Sequence, residues 1–316
     1  MKKETKLFIE QIESAKTILL TAHKNLDGDA LCSMLALSQL IYLNYGKKCV
    51  CIYDGNMPEY LHNVPLRENA HFFAQMDLSH KFDLAVLLDY GTVNNLGGGR
   101  NAVENAKYIV ELDHHKNDNK LGQLCLDDDT AAATACILYN LMLNAGWEYD
   151  NNVLNLIALG ILTDTGNFKY VKDSRVLRIT AELVDAGVDI GALQDLLKNQ
   201  HRKTIQTEAR AVADAEFFHR NRLAIAVINS AMYKNLDGRG ANALSLLGQI
   251  KGVEYIALLK EQKPNQIGVS LRGKTMPVDY IAEQLGGGGH MCAAGAVVYD
   301  SLENVKQRII DLFKEA

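Results

Sequence analysis

The sequence predicts a two-part α/β protein: an N-terminal domain on a mostly parallel sheet, a helical connector, and a smaller α/β domain at the C-terminus. Three observations carry this expectation. The first half alternates strand-like apolar runs with segments of helical spacing, the signature of βα units. Carboxylates and histidines stand directly after apolar runs, and in an open parallel sheet the strand carboxyl ends share one rim. At 316 residues the chain is long enough for two substantial cores.

In chain order, strands are expected at 17–22, 48–53, 82–88 and 107–112. Residues 30–43 repeat at helical spacing behind Asp27-Gly28-Asp29, where a helix N-terminus is expected. Asp129-Thr130 precedes a second helix, 131–143, stopped by Gly146. From about 174 to 216 the pattern is helical, more charged and without a strand. Beyond it, 223–228, 255–259 and 266–272 read as strands of the second domain, which also holds Gly286-Gly287-Gly288-Gly289-His290.

Composition narrows the function. The net charge of −5 is a poor footprint for a protein that grips long duplexes through their phosphates, although a local cationic pocket still serves short or single nucleotides. The first residues lack the apolar core of a signal peptide and no later stretch of about 18 apolar residues appears, so a cytoplasmic protein without membrane contact is expected. The six cysteines form no C-x-x-C pair and several lie in apolar runs, as buried, reduced thiols do.

Four sites end or follow apolar runs: His23-x-x-x-Asp27-x-Asp29, Asp89, Asp113-His114-His115, and Asp164 after 157–163. Each acid alone has an ordinary reading as a cap or a turn residue. Together they require more, because carboxylates sharing one pocket repel by about 4 kcal/mol per close pair at an effective dielectric of 20. Cations between them remove the penalty. Every donor is a carboxylate oxygen or an imidazole nitrogen, which suits Mn²⁺, Mg²⁺ or Co²⁺ better than a structural zinc. Two such ions about 3.5–4 Å apart stabilise the attacking and departing oxygens of an in-line displacement at phosphorus, and Asp89 would bridge them. In the C-terminal domain the glycine run lets backbone amides approach an anion closely, against the alternative of a flexible surface turn. Arg272 is a plausible partner for the same phosphate, whereas Arg100, after Gly97-Gly98-Gly99, has no such context.

These motifs together resemble the DHH phosphoesterase superfamily, and the glycine-rich histidine segment resembles its DHH-associated C-terminal domain. The similarity spans nearly the whole chain and is greatest to the branch of bacterial oligoribonucleases that also dephosphorylate 3′-phosphoadenosine 5′-phosphate. It implies a metal-binding catalytic domain over 1–188, a connector over 189–216 and a substrate-binding domain over 217–316. It further implies two Mn²⁺ ions, one on His23, Asp27 and Asp89, the other on Asp29, Asp89, His114 and Asp164. Asp113 would support the site, His115 would face the scissile phosphate, and Arg272, Gly288, Gly289 and His290 would hold a terminal phosphate or nucleotide. Leu26 and Gly273 depart from the family pattern, which often has proline and serine there; neither touches an expected ligand.

The expected partners are short oligonucleotides or small phosphorylated nucleotides, with no long duplex; a homodimer is compatible with this reading. The competing functions are a cyclic di-AMP or linear dinucleotide phosphodiesterase, a family II inorganic pyrophosphatase, and a non-catalytic nucleotide-binding protein. The glycine run ending in His290 argues against the pyrophosphatase, and the intact metal motifs argue against the non-catalytic reading.

Overall fold

The computed structural model describes residues 2–171, 173–236 and 240–314. The chain divides into two compact units, Met1–Asn199 and Gln200–Ala316. The first contains, in order, α1 (Lys2–Ser14), β1 (Ile18–Thr21), α2 (Gly28–Tyr45), β2 (Cys49–Tyr53), β3 (Ala70–Phe72), β4 (Leu84–Leu88), α3 (Arg100–Glu104), β5 (Tyr108–Leu112), β6 (Leu124–Cys125), α4 (Thr134–Ala145), α5 (Asn151–Asp164), α6 (Arg175–Asp185) and α7 (Ile190–Lys198). Its sheet has the order β3-β2-β1-β4-β5-β6 with every pair parallel. The expected strands are present as β1, β2, β4 and β5.

Both faces of this sheet are covered, which is why its strands read as continuous apolar runs rather than alternating ones. Ile18, Leu20, Val86, Leu88, Val110 and Leu112 join the large core that includes α2, α4 and α5, while Leu19, Ala85, Leu87 and Ile109 join a second cluster with Phe82, Tyr90 and Val103. Because β1, β4 and β5 are neighbours in register, with Thr21 opposite Leu87 and Leu88 opposite Leu112, the residues after them emerge on one rim.

One open reading is settled here and one expectation is corrected. The apolar run 157–163 before Asp164 is the second half of α5, so Asp164 reaches the rim from a helix end. The second helix begins at Thr134, not 131, and Asp129-Thr130 does not cap it; its first amides, Thr134 N and Ala135 N, donate instead to the Asp29 carboxylate at 2.6 and 3.0 Å.

Close crossing of α2 and α5 fixes how far Asp29 lies from Asp164. At Gly28 a Cβ would collide with the Thr163 side chain, and at Gly160 it would lie 2.7 Å from Asp29 Oδ1 and 2.8 Å from the Ala135 Cβ. Asp27 starts α2 by accepting from Ala30 N at 3.1 Å, and Gly46 ends it in the left-handed conformation.

The second unit contains α8 (Arg202–Ala213), β7 (Glu216–Phe218), β8 (Leu223–Ile228), α9 (Ser230–Tyr233), α10 (Ala241–Gln249), β9 (Tyr255–Lys263), β10 (Gln266–Gly273), α11 (Asp279–Gln284), β11 (Gly288–His290), β12 (Ala293–Val298) and α12 (Leu302–Leu312). Its sheet runs β11-β12-β10-β9-β8-β7, antiparallel except for β8 with β9. The segment expected as a connector supplies α7 to the first unit and α8 to the second. Among the described residues no helix is long and apolar enough to cross a membrane, and the six cysteines are free, with Cys32, Cys51 and Cys136 buried.

Gly160→Val should expose the dependence on the α2–α5 crossing. Overpacking of this kind destabilises by about 1–3 kcal/mol, and a urea titration unchanged from the wild type would show that the contact has slack.

Candidate metal centre

The rim after β1, β4 and β5 brings together His23, Asp27, Asp89, Asp113, His114 and His115, and α2 and α5 add Asp29 and Asp164. Three sets of donor atoms lie within 4.8 Å of one another: His23, Asp27 and Asp89; Asp29, His114 and Asp164; and Asp89, His114 and His115. Asp89 is therefore shared, its Oδ2 3.9 Å from His23 Nε2 and its Oδ1 3.4 Å from His114 Nε2. Asp89 takes φ of 51°, in the left-handed region that a non-glycine residue enters only at a cost, a form of strain that clusters at functional sites.

The two imidazoles that face these carboxylates are held in the same way. His23 Nδ1 lies 2.9 Å from the Lys24 carbonyl and His114 Nδ1 3.3 Å from the Ala131 carbonyl. A carbonyl only accepts, so each Nδ1 carries the hydrogen in the neutral ring and each Nε2 presents a lone pair, the arrangement of metal-binding histidines. His23 Nε2 is 3.4 Å from Asp27 Oδ2, and His114 Nε2 is 3.3 Å from Asp164 Oδ2. The His114 Nε2 atom is buried without a hydrogen-bond partner among the described residues. Orphaned buried nitrogen beside two carboxylate oxygens fits a cation, and the all-oxygen-and-nitrogen donor set fits a hard divalent one.

His115 is held differently. Its Nδ1 lies 2.8 Å from Asp113 Oδ1, and Asp113, fully buried, also accepts from His115 N at 3.0 Å and, on Oδ2, from Gly91 N at 2.8 Å. Asp113 is thus occupied in orienting the His115 ring and the turn after Asp89.

Protonation reflects the crowding. Burial, then the charges of Asp89, Asp164 and Asp27, push the Asp29 carboxyl well above its ordinary range. Burial likewise raises Asp164 to about 6, with His114 opposing and Asp89 adding to the rise. Burial acts to lower His23, but the Asp27 hydrogen bond and charge outweigh it and raise the imidazole to about 9. The hydrogen bonds to Asp113 and Asp89 raise His115 to about 10. In Asp113 burial is outweighed by the His115 and Gly91 hydrogen bonds, which hold the carboxyl low.

Sequence reasoning missed Thr134, whose hydroxyl donates to Asp89 Oδ1 at 3.1 Å, and Ser33, whose hydroxyl donates to Asp29 Oδ1 at 3.0 Å. Thr134 opens a helix, which is a weak signal; Ser33 stands one turn beyond Asp29, which is a better one. Arg100 pairs with Glu104 at 2.7 Å on the surface.

The expected phosphate site lies in the second unit. The glycine run is not a loop throughout: Gly288–His290 is the edge strand β11, pairing Gly288 with Gly295, Gly289 with Ala294 and His290 with Ala293. Arg272 also stands opposite Ala293 from the other side of β12, so Arg272 and His290 occupy one level of the sheet. The Arg272 Nη1 donates to the Leu271 carbonyl at 2.8 Å. The His290 side chain lies outside the described part of the structure.

Residues 17–161 match the family model of the DHH family, N-terminal domain, and residues 223–316 match the DHHA1 domain. A probable bifunctional oligoribonuclease and PAP phosphatase NrnA of Streptococcus mutans is 26% identical, covering 98% of this chain and 99% of that relative. The bifunctional oligoribonuclease and PAP phosphatase NrnA of Thermus thermophilus is 26% identical over 94% of this chain and 89% of its own, and that of Bacillus subtilis 22% identical over 97% and 98%. The solved structure of an exopolyphosphatase-related protein from Bacteroides fragilis superposes with a TM-score of 0.92 at 18% identity, covering 100% of this chain and 96% of that one. At that identity the likeness establishes the fold.

Divalent-ion binding should release protons, because at neutral pH His23 holds one and Asp164, titrating near 6, holds part of one. Affinity for Mn²⁺ should accordingly rise with pH between 6 and 9, the interval bounded by these two groups. Calorimetry of Mn²⁺ binding in buffers of different ionisation enthalpy measures the release, and binding with neither proton release nor pH dependence would exclude these two groups as ligands.

Proposed function

We infer that this chain, which belongs to the DHH family, is a divalent-metal-dependent phosphoesterase that hydrolyses short oligoribonucleotides, 3′-phosphoadenosine 5′-phosphate, or both. The observation that carries the reading is the three donor sets linked through Asp89 and His114, with a buried His114 Nε2 that has no hydrogen-bond partner among the described residues. The names of the relatives supply the substrate class.

In this reading His23, Asp27 and Asp89 hold one Mn²⁺, and Asp29, Asp89, His114 and Asp164 hold a second. Such ions withdraw charge from phosphoryl oxygens and acidify water at neutral pH. The protein's own share is to fix the donors and move the proton. Thr134 holds Asp89 Oδ1 by its hydroxyl, and the α4 amides and Ser33 hold Asp29. Asp89 Oδ1 and Asp29 Oδ2 each accept one of these bonds and keep a further lone pair for a cation, whereas Asp29 Oδ1 accepts two. Asp113 engages His115 Nδ1, which assigns Nε2 to the substrate. The Asp113 carboxylate at Nδ1 favours the protonated ring, in which His115 can stabilise charge on the phosphate and give a proton to the departing oxygen.

The second unit is assigned the substrate's terminal phosphate or nucleotide, through Arg272 and the Gly288, Gly289 and His290 strand. A guanidinium level with an edge strand of glycines offers both charge and unobstructed amides to an anion.

Purified protein assayed with Mn²⁺ on dinucleotides, pentanucleotides, a long single strand, 3′-phosphoadenosine 5′-phosphate and pyrophosphate tests the reading directly. Short oligonucleotides or 3′-phosphoadenosine 5′-phosphate should be turned over with higher kcat/KM than the long strand, and activity should vanish with chelator. Hydrolysis of pyrophosphate alone, or full activity after metal removal, overturns the assignment.

Three substitutions separate the roles. Asp89→Ala should abolish turnover together with metal binding. His115→Ala should lower the rate by about 10²–10⁴ while metal content, measured by plasma emission, is retained; loss of the ions would make His115 a ligand instead. Arg272→Ala should leave metal content intact and weaken dinucleotide turnover, since it acts on substrate placement.

A further inference from the structure

A second cluster of charged and polar groups lies behind the metal centre and is used by none of the steps above. Glu111 sits in the middle of β5, two residues before Asp113, and is fully buried. It lies on the same face of the strand as Ile109, the face that packs with Leu87 and Tyr90. An apolar residue would satisfy that position, because a buried carboxylate carries a desolvation penalty of several kcal/mol unless charge and hydrogen bonds offset it.

Here they do, and every partner but Tyr90 belongs to the segment that leaves the site. One oxygen of Glu111 accepts from Leu121 N at 2.6 Å and from Gly122 N at 2.7 Å. The other is 3.7 Å from Lys120 Nζ, and Lys120 also pairs with Asp127 at 2.6 Å. Asp127 in turn accepts from Asp113 N at 3.1 Å. The Tyr90 hydroxyl accepts from Asn117 Nδ2 at 2.8 Å and faces the Glu111 carboxylate, and burial and then the Glu111 charge push the phenol's pKa up. Tyr90 is the fully buried residue between Asp89 and Gly91, both left-handed, and Gly91 N is the donor to Asp113.

From these contacts we propose that Glu111 is a positioning residue for the phosphoesterase reaction, pinning the 116–122 segment and the Tyr90 turn so that Asp89 and the Asp113–His115 pair keep their relative placement. The proposal rests on the function inferred above. Glu111 touches neither a metal donor nor His115 directly. It acts at both ends of the catalytic pair: through Tyr90 on the strained turn that carries Asp89, and through Lys120 and Asp127 on the backbone of Asp113. Lys120 and Glu111 are also why the segment after His115, polar from Lys116 to Lys120, can return to the sheet at β6 without leaving its amides unpaired at Leu121 and Gly122.

The test uses Glu111→Leu, which fills the space without a charge, and Glu111→Gln, which keeps an acceptor for the two amides. Glu111→Leu should lower kcat on a dinucleotide by about 10- to 100-fold, the scale on which small misplacements of reacting groups act. Its KM and its metal content should stay at the wild-type values. Glu111→Gln should lose only about threefold, the scale of one weakened hydrogen bond. A role in folding alone would not give the third readout. In a His115→Ala background, Glu111→Leu should reduce the residual rate by less than about twofold, since the group it positions is gone. Loss of kcat that tracks loss of metal or of folded protein, or full additivity with His115→Ala, overturns the proposal. Should Glu111→Leu fail to fold, Tyr90→Phe removes one hydroxyl from the same linkage and must lower kcat at constant KM and metal content; an unchanged kcat there overturns it equally. Wild-type protein inactive on every phosphoester of the panel would instead refute the underlying function, so the two failures are distinguishable.

Discussion

Mutual repulsion among Asp27, Asp29, Asp89 and Asp164 is the constraint on which the rest of the first unit depends. Asp29 and Asp89 are almost wholly buried, and buried carboxylates at such separations interact by several kcal/mol even at an effective dielectric near 20. The fold contains the repulsion in two ways. Backbone amides and hydroxyls are spent on the acids, with α4 starting on Asp29 and Thr134 reaching Asp89. Protons supply the remainder, which is why Asp29 and Asp164 sit above their ordinary pKa and His23 holds its proton. A site built this way exchanges protons for divalent ions with little rearrangement, since the donors are already held.

The same constraint explains the helix geometry. Asp29 can accept the first amides of α4 only if the N-terminal turns of α2 and α4 meet, and Asp164 can join only if α5 crosses α2 at glycine distance. The glycines at 28 and 160 therefore belong to the chemistry as much as to the packing. Parallel strands contribute the other half, because adjacent β1, β4 and β5 deliver His23, Asp89 and Asp113 to one rim with no special local signal beyond an acid or histidine past an apolar run.

That is also why this part was legible in the sequence. Strands covered on both faces are uniformly apolar, so β1, β4 and β5 and the residues that follow them stood out. Other features were decided by neighbours in space. The seven-residue run before Asp164 does not distinguish a buried strand from a buried helix by periodicity, and only the chain upstream of it makes it α5. Strands β3 and β6, with three and two residues, exist through their pairing with β2 and β5. Gly288–His290 has weak intrinsic preference for a strand and becomes one because β12 offers it an edge. The start of α4 was misplaced for a related reason: its cap is Asp29, more than a hundred residues upstream, and no local pattern reports it.

The adjacent histidines show how one dipeptide is divided between two tasks. His114 leans its Nδ1 on a backbone carbonyl, a neutral acceptor, which turns the opposite nitrogen's lone pair toward the carboxylates. His115 leans on Asp113, an anion, which raises its affinity for a proton. The ring that meets the carbonyl is suited to metal and the ring that meets the carboxylate is suited to proton transfer, and the difference lies in the partner rather than in the imidazole. The electrostatics then impose an order on events. A phosphate ester is an anion, and a rim lined by Asp27, Asp29, Asp89 and Asp164 repels it until divalent charge is in place. In the proposed function metal would therefore bind before substrate, since divalent ions held by these carboxylates would offset their mutual repulsion and reverse the sign of the surface that the phosphate meets.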